Sequence, residues 1–194
     1  MYYSNDNNKN ILSRIEQRLD YMVSNHNKVM LIRFDIHFPQ TYVHDGKNDE
    51  ISWLFKCLKE AYGPRLGHVH YVWARERVQS PNPHYHVALL VNGSLMQNPY
   101  GLLSDVGAIW NRILGGVYTG LIHFCGSQCL GQSTTGSVMI RRPSTVAEPA
   151  IQARQQQAYQ AAYDQALYRA SYLAKTFSKG GTPHRVREFG CSQL

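Results

Sequence analysis

The sequence predicts an α+β domain. Its sheet is of the ferredoxin-like or RRM-like antiparallel type, connected β-α-β-β-α-β, with helices packed on one face and a long C-terminal helix. Three observations predict it. Apolar residues recur at helical spacing in Ile11, Leu12, Ile15, Leu19 and Met22, and again in Ile51, Leu54, Phe55, Leu58 and Tyr62. Apolar runs rich in β-branched and aromatic residues read as strands at 29–38, 68–78, 84–91 and 117–125. From 148 to 179 the chain is dense in Ala, Gln, Arg and Leu, opens near Pro149 and stops at Gly180-Gly181, as a long helix does.

Taken in order, residues 8–25 form an amphipathic helix within an N-terminal extension over 1–28. The first strand, 29–38, is stopped by Pro39, and a loop rich in His, Asp, Gly and Asn leads to Asn48 or Asp49 as the next N-cap. Gly63-Pro64 is expected to end that helix. Strands 68–78 and 84–91 make a hairpin around a Pro-rich tip at 79–83. A short helix over 103–114 closes at Gly115-Gly116, and 117–125 supplies the fourth strand. The Gly/Ser/Thr-rich stretch 126–137 is expected to be a mobile loop within a flexible region 126–147, with 138–140 as a short edge strand. A helix of about 30 residues would run roughly 45 Å, long enough that a break inside it is an open alternative.

A length of 194 residues fits a single domain, 1–194, and 43% hydrophobic content can build a real core. Lys and Arg outnumber Asp and Glu by 20 to 13, which favours a polyanionic partner. The thirteen tyrosines could serve as stacking platforms for bases or simply fill the core. Cys57, Cys125, Cys129 and Cys191 form no CxxC pair and no zinc-finger spacing, so reduced thiols in a cytoplasmic setting are expected. The start is polar and no apolar stretch reaches membrane-spanning length, so no membrane partner is expected.

The chemistry concentrates at Pro83-His84-Tyr85-His86-Val87. Alternate residues of a strand share a face, so His84 and His86 would project side by side and could hold one divalent ion. Chance alone gives roughly 0.4 such pairs at this histidine content, so the surroundings must carry the argument. Glu76 precedes His84 on the other arm of the hairpin, where a turn near 80–81 would set it opposite or diagonal to the histidines. Two imidazoles and a carboxylate with open positions suit Mg2+ or Mn2+ used as a Lewis acid. An ion pair of Glu76 with Arg75 or Arg77 is the plainer alternative. His68 and His70 lie toward the far end of the strand and read as structural or surface histidines. Asp35 and His37 share parity on the first strand, where they either line the same site or form a buried hydrogen-bonded pair.

On the long helix, Tyr168, Tyr172 and Lys175 fall on one stripe. They could merely widen its buried face. A phenol is a poor nucleophile at its usual pKa of about 10. A neighbouring cation helps the phenolate form, and a metal can polarise a phosphate opposite it.

With these residues in this order the chain resembles the HUH endonucleases, and within them the rolling-circle replication initiators. The matching segments are Phe34-Asp35-Ile36-His37-Phe38, Pro83-His84-Tyr85-His86-Val87 and Tyr172-Leu173-Ala174-Lys175. Trp73-Ala74-Arg75-Glu76-Arg77 and Arg187-Glu188-Phe189-Gly190-Cys191-Ser192 are most similar to inovirus-type replication proteins of phages and prophages. The resemblance spans roughly residues 29–192. It implies a divalent metal on His84, His86 and Glu76, a single-stranded DNA substrate at an origin or hairpin, and Tyr172 as nucleophile. Lys175 would assist, and Tyr168 would act in a second transfer or only pack. No Gly-rich phosphate loop is present, so a host helicase and polymerase would be borrowed. Arg75, Arg77, Lys179, Arg185 and Arg187 are candidates for contact with DNA. Other readings share the fold: a Y1-type transposase, a DNA-binding regulator without catalysis, and an RNA-binding module stacking bases on Tyr71, Trp73 and Tyr85.

Overall fold

In the computed structural model, which describes residues 8–76, 81–129, 132–134, 136–175 and 185–194, the elements run in chain order as follows. α1 (Lys9–Asn25), β1 (Lys28–Ile36), α2 (Asp49–Leu66), β2 (Val69–Glu76) and β3 (His84–Asn92) come first. α3 (Pro99–Leu114), β4 (Ile122–Phe124), β5 (Ser127–Cys129), β6 (Gln132–Thr134), β7 (Ser137–Arg141), α4 (Pro149–Ser171) and β8 (Phe189–Cys191) follow.

β3 pairs antiparallel with both β1 and β2, so β1 and β2 run parallel with β3 between them. A parallel pair needs a crossover connection, and α2 supplies it. After α3 the chain returns as β4 against the far edge of β1, giving the order β4-β1-β3-β2. This is the antiparallel split β-α-β-β-α-β unit expected from the sequence. β8 extends the sheet beyond β2, and β7 pairs with the first half of the β1 edge whose second half holds β4.

Each face of the sheet carries its own core. Met30, Ile32, Phe34 and Ile36 point to one side, with Tyr85, Val87, Leu89 and Val91. They bury Ile51, Leu54, Phe55 and Leu58 of α2 and Leu102, Val106 and Trp110 of α3. Val29, Leu31, Val72, Ala74, Ala88 and Leu90 point to the other side, against Ile11, Ile15, Leu19 and Met22 of α1 and Ala166 and Ala170 of α4. The two helices inside the unit therefore share one face, and the two flanking helices roof the other. Burial on both faces is why the strands read as nearly continuous apolar runs.

Local boundaries differ from expectation where a single residue decides them. α2 passes through Pro64 and stops at Gly67, whose positive φ of 74° and N–H bond to Gly63 O at 2.9 Å close the last turn. Proline there forfeits one helical hydrogen bond, and burying Leu66 offsets that loss. α3 starts at Pro99, four residues early, because Asn98 Oδ1 accepts the Tyr100 N–H at 3.0 Å. The fourth strand pairs over only three residues. Within 126–137, β5 and β6 pair from Ser127↔Thr134 to Cys129↔Gln132, so two short strands lie where a mobile loop is expected. α4 ends at Ser171 and tightens into a 3-10 turn over Tyr172–Ala174. Among the described residues no helix is long and apolar enough to cross a membrane.

Candidate metal centre and nucleophile

The roofed face changes character at one end. Apolar positions give way to Arg33 and Asp35 on β1, His84 and His86 on β3, and Glu76 at the end of β2. Strand register brings them together, since Asp35 lies opposite His86 and Glu76 opposite His84. One donor atom from each of Glu76, His84 and His86 lies within 4.8 Å of the others. His84 Nε2 is 2.8 Å from Glu76 Oε2, and His86 Nε2 contacts the same oxygen.

Hydrogen bonding orients the His86 ring. Asp35 Oδ1 lies 2.6 Å from His86 Nδ1. Burial acts to raise the Asp35 carboxyl, but the His86 hydrogen bond and the Arg33 charge outweigh it and bring its pKa to about 2. An ionised carboxylate only accepts, so this shorter contact favours the hydrogen on Nδ1 over acceptance from Arg33 Nη2, 3.2 Å from the same nitrogen. His86 Nε2 then turns a lone pair toward Glu76, another acceptor. Two acceptors in contact need a cation between them, either a proton or a metal. The carboxylate–histidine pair behind the ligand is the arrangement that orients metal-bound imidazoles. His37 stacks on His84 at 5.2 Å between centroids and holds that ring from its other side. Burial lowers the His84 pKa and His86 adds to the shift, against the opposing pull of the Glu76 carboxylate.

Tyr172 stands over this cluster. Its ring meets His86 edge to face at 5.2 Å and is 42% exposed. The Arg33 guanidinium lies 4.7 Å from the ring centroid and Lys175 Nζ 3.9 Å. Burial raises the Tyr172 pKa, Glu76 raises it further and Arg33 opposes them, so the resting side chain is a neutral phenol.

A family model described as the YagK/YfjJ C-terminal domain matches residues 1–192. The chain belongs to that family. No curated protein matches this YagK/YfjJ domain. Among solved structures it is similar to the N-terminal nuclease domain of minute virus of mice non-structural protein 1, which is described with a Zn2+ coordination in its active-site pocket. That likeness has 13% identity and a TM-score of 0.32, over 85% of this chain and 71% of that one. At that score the chemistry of the YagK/YfjJ domain must be argued from its own residues.

The fold brings His84, His86, Glu76, Tyr172 and Lys175 into one place, with Asp35 and His37 lining it. Lys175 arrives differently than expected. It follows the 3-10 turn in extended conformation and folds back over the ring, instead of sharing a helical stripe. Tyr168 sits one turn earlier on α4 and is 55% exposed. Arg75 is a correction. Only 1% exposed, it points to the α2 side of the sheet and donates to Gly46 O, Lys47 O and Asn48 Oδ1, pinning the loop before α2. It is not available to DNA. Arg185 and Arg187 are exposed, and the Arg187 carbonyl accepts from Asn48 Nδ2 at 2.9 Å. Arg77 and Lys179 lie outside the described residues.

Tyr85 and Trp73 are buried, and Tyr71 stacks on Phe55 at 3.7 Å, so the base-stacking surface of an RNA module is absent at these residues. His68 and His70 belong elsewhere: His68 Nδ1 lies 2.9 Å from His26 Nε2, and buried His70 bonds Ser192 Oγ. Sequence reasoning overlooked Arg33. Its parity with Asp35 and His37 was the available signal.

Proposed function

We propose that this domain nicks and rejoins single-stranded DNA with Tyr172 as nucleophile. The same reaction would initiate rolling-circle replication of a phage or related mobile element, as the inovirus-type resemblance implies. The observation that carries the reading is the Tyr172 ring lying over the His84–His86–Glu76 cluster. Those three side chains would hold a divalent cation, and the two imidazoles favour Mn2+ over the more oxygen-loving Mg2+. Once bound, the cation supplies a Lewis acid for a phosphate oxygen and offsets the Glu76 charge that opposes phenolate formation.

The protein's own groups do the rest. Arg33 and Lys175 orient the phenol and stabilise negative charge as its proton leaves. The Tyr172 oxygen bonds to phosphorus, and the P–O3′ bond breaks. The released 3′ oxygen ends as a hydroxyl carrying one proton, while the 5′ phosphate stays on tyrosine. Attack of a 3′-hydroxyl on that ester reverses the step, so rejoining needs no ATP.

The test is adduct formation on a labelled pool of randomised single-stranded DNA hairpins with Mn2+, read by denaturing gel and mass spectrometry. Tyr172→Phe and His84→Ala should each cut the adduct by at least about a hundredfold. Tyr168→Phe should retain it. A Tyr172→Phe protein that forms as much adduct as the parent would remove Tyr172 from the reaction.

A further inference from the structure

The end of β7, the connection that follows it and the middle of α4 enclose a groove of about 690 Å3, away from the metal cluster. Lys28, Arg141, Arg142, Ser144, Gln155 and Tyr159 are among its walls, and among the described residues no carboxylate lines it. Lys28 and Arg141 are direct cross-strand partners. Like charges placed opposite each other destabilise a sheet, and among the described residues neither side chain has an ion-pair partner. The walls are held in place. Arg142 Nη2 caps the C-terminal carbonyls of α1 at Val23 and Ser24, and Gln155 Oε1 accepts the Ser144 N–H at 2.8 Å. Tyr159, half-buried on α4, is another wall, and Arg142 is the cation that acts on its hydroxyl.

We infer that this groove is a second nucleic-acid subsite, which grips the phosphates of the same single DNA strand several nucleotides from the bond attacked by Tyr172. The inference rests on the DNA substrate of the proposed reaction. Three cations without a carboxylate select a polyanion, and an adjacent aromatic ring with amide and hydroxyl groups suits a single strand. The helix that walls the groove at Tyr159 leads into the turn carrying Tyr172, about 20 Å further at 1.5 Å per residue. A strand engaged at both places would be held taut across the scissile bond. The unpaired cross-strand cations are then a binding feature kept at the expense of local stability.

The experiment measures binding of a fluorescein-labelled single-stranded oligonucleotide by anisotropy over a salt series. It compares the parent with Lys28→Ala/Arg141→Ala and with Lys56→Ala/Lys59→Ala, which removes the same charge from the exposed side of α2. The groove variant should bind at least about tenfold more weakly, with a salt slope shallower by about 1 to 1.5, as loss of two phosphate contacts requires. The α2 variant should bind like the parent. The melting temperature of the groove variant should not fall, because a repulsion has been removed. Equal weakening in both variants, unchanged binding in the groove variant, or no binding by the parent overturns the subsite. Groove-dependent binding without any covalent adduct overturns the nicking reaction and leaves the subsite standing.

Discussion

His86 bonds the carboxylate of Asp35 through Nδ1, so its Nε2 is the atom left for a cation. Asp35→Asn replaces that acceptor with a group that can also present a donor, and the imidazole loses its fixed orientation. Calorimetric titration with Mn2+ should show affinity lower by about 10- to 100-fold in this variant, with the fold intact by circular dichroism. Unchanged affinity would mean Asp35 is only a partner for Arg33. Arg75 illustrates the opposite kind of residue. Its charge reads as a DNA contact in the sequence, yet its donors close a loop on the far side of the sheet. Arg75→Met should therefore lower stability by about 2–4 kcal/mol in urea unfolding, through three lost charge-assisted bonds. The salt slope of DNA binding should be unchanged.

Elements here are positioned by what they have to cover. α1 was legible as an amphipathic helix because Ile11, Ile15, Leu19 and Met22 repeat at helical spacing, and all four are buried. Which face of the sheet it would roof was not legible, since both faces of β1 and β3 are apolar. β8 was legible only as a motif in the tail. In the fold it lies on β2 with Gly190 opposite Trp73, and a Cβ at 190 would come within 2.6 Å of the Trp73 ring. Gly190→Ala should therefore lift the strand, costing about 1–3 kcal/mol. Hydrogen exchange should quicken at Phe189–Cys191 and stay slow in β1 and β3. Slow exchange throughout would show that the indole can move aside.

For the whole molecule, acid is the informative perturbation. His70, on β2, lies buried against the C-terminal segment. Burial, with His68 and Arg18 adding to it, lowers its pKa from 6.5 to about 4. The unfolded chain takes up this proton below about pH 6.5, whereas the folded chain resists until about pH 4. Stability is therefore full above pH 6.5 and is lost as the pH falls toward 4. Rising net charge from the other histidines acts in the same direction. Urea midpoints between pH 7.5 and 4.5 should fall more steeply for the parent than for His70→Asn, and parallel profiles would place the acid sensitivity elsewhere. The sequence by itself determined what depends on near neighbours: the helices, the strands of the split unit, and a hairpin whose register sets Glu76 against His84 and His86. Only tertiary structure decided that Tyr172 lies over that hairpin, that Arg33 enters the site and that Arg75 leaves it. Local spacing settles which face of an element a side chain occupies, but a charge is buried or displayed according to partners far away in the chain.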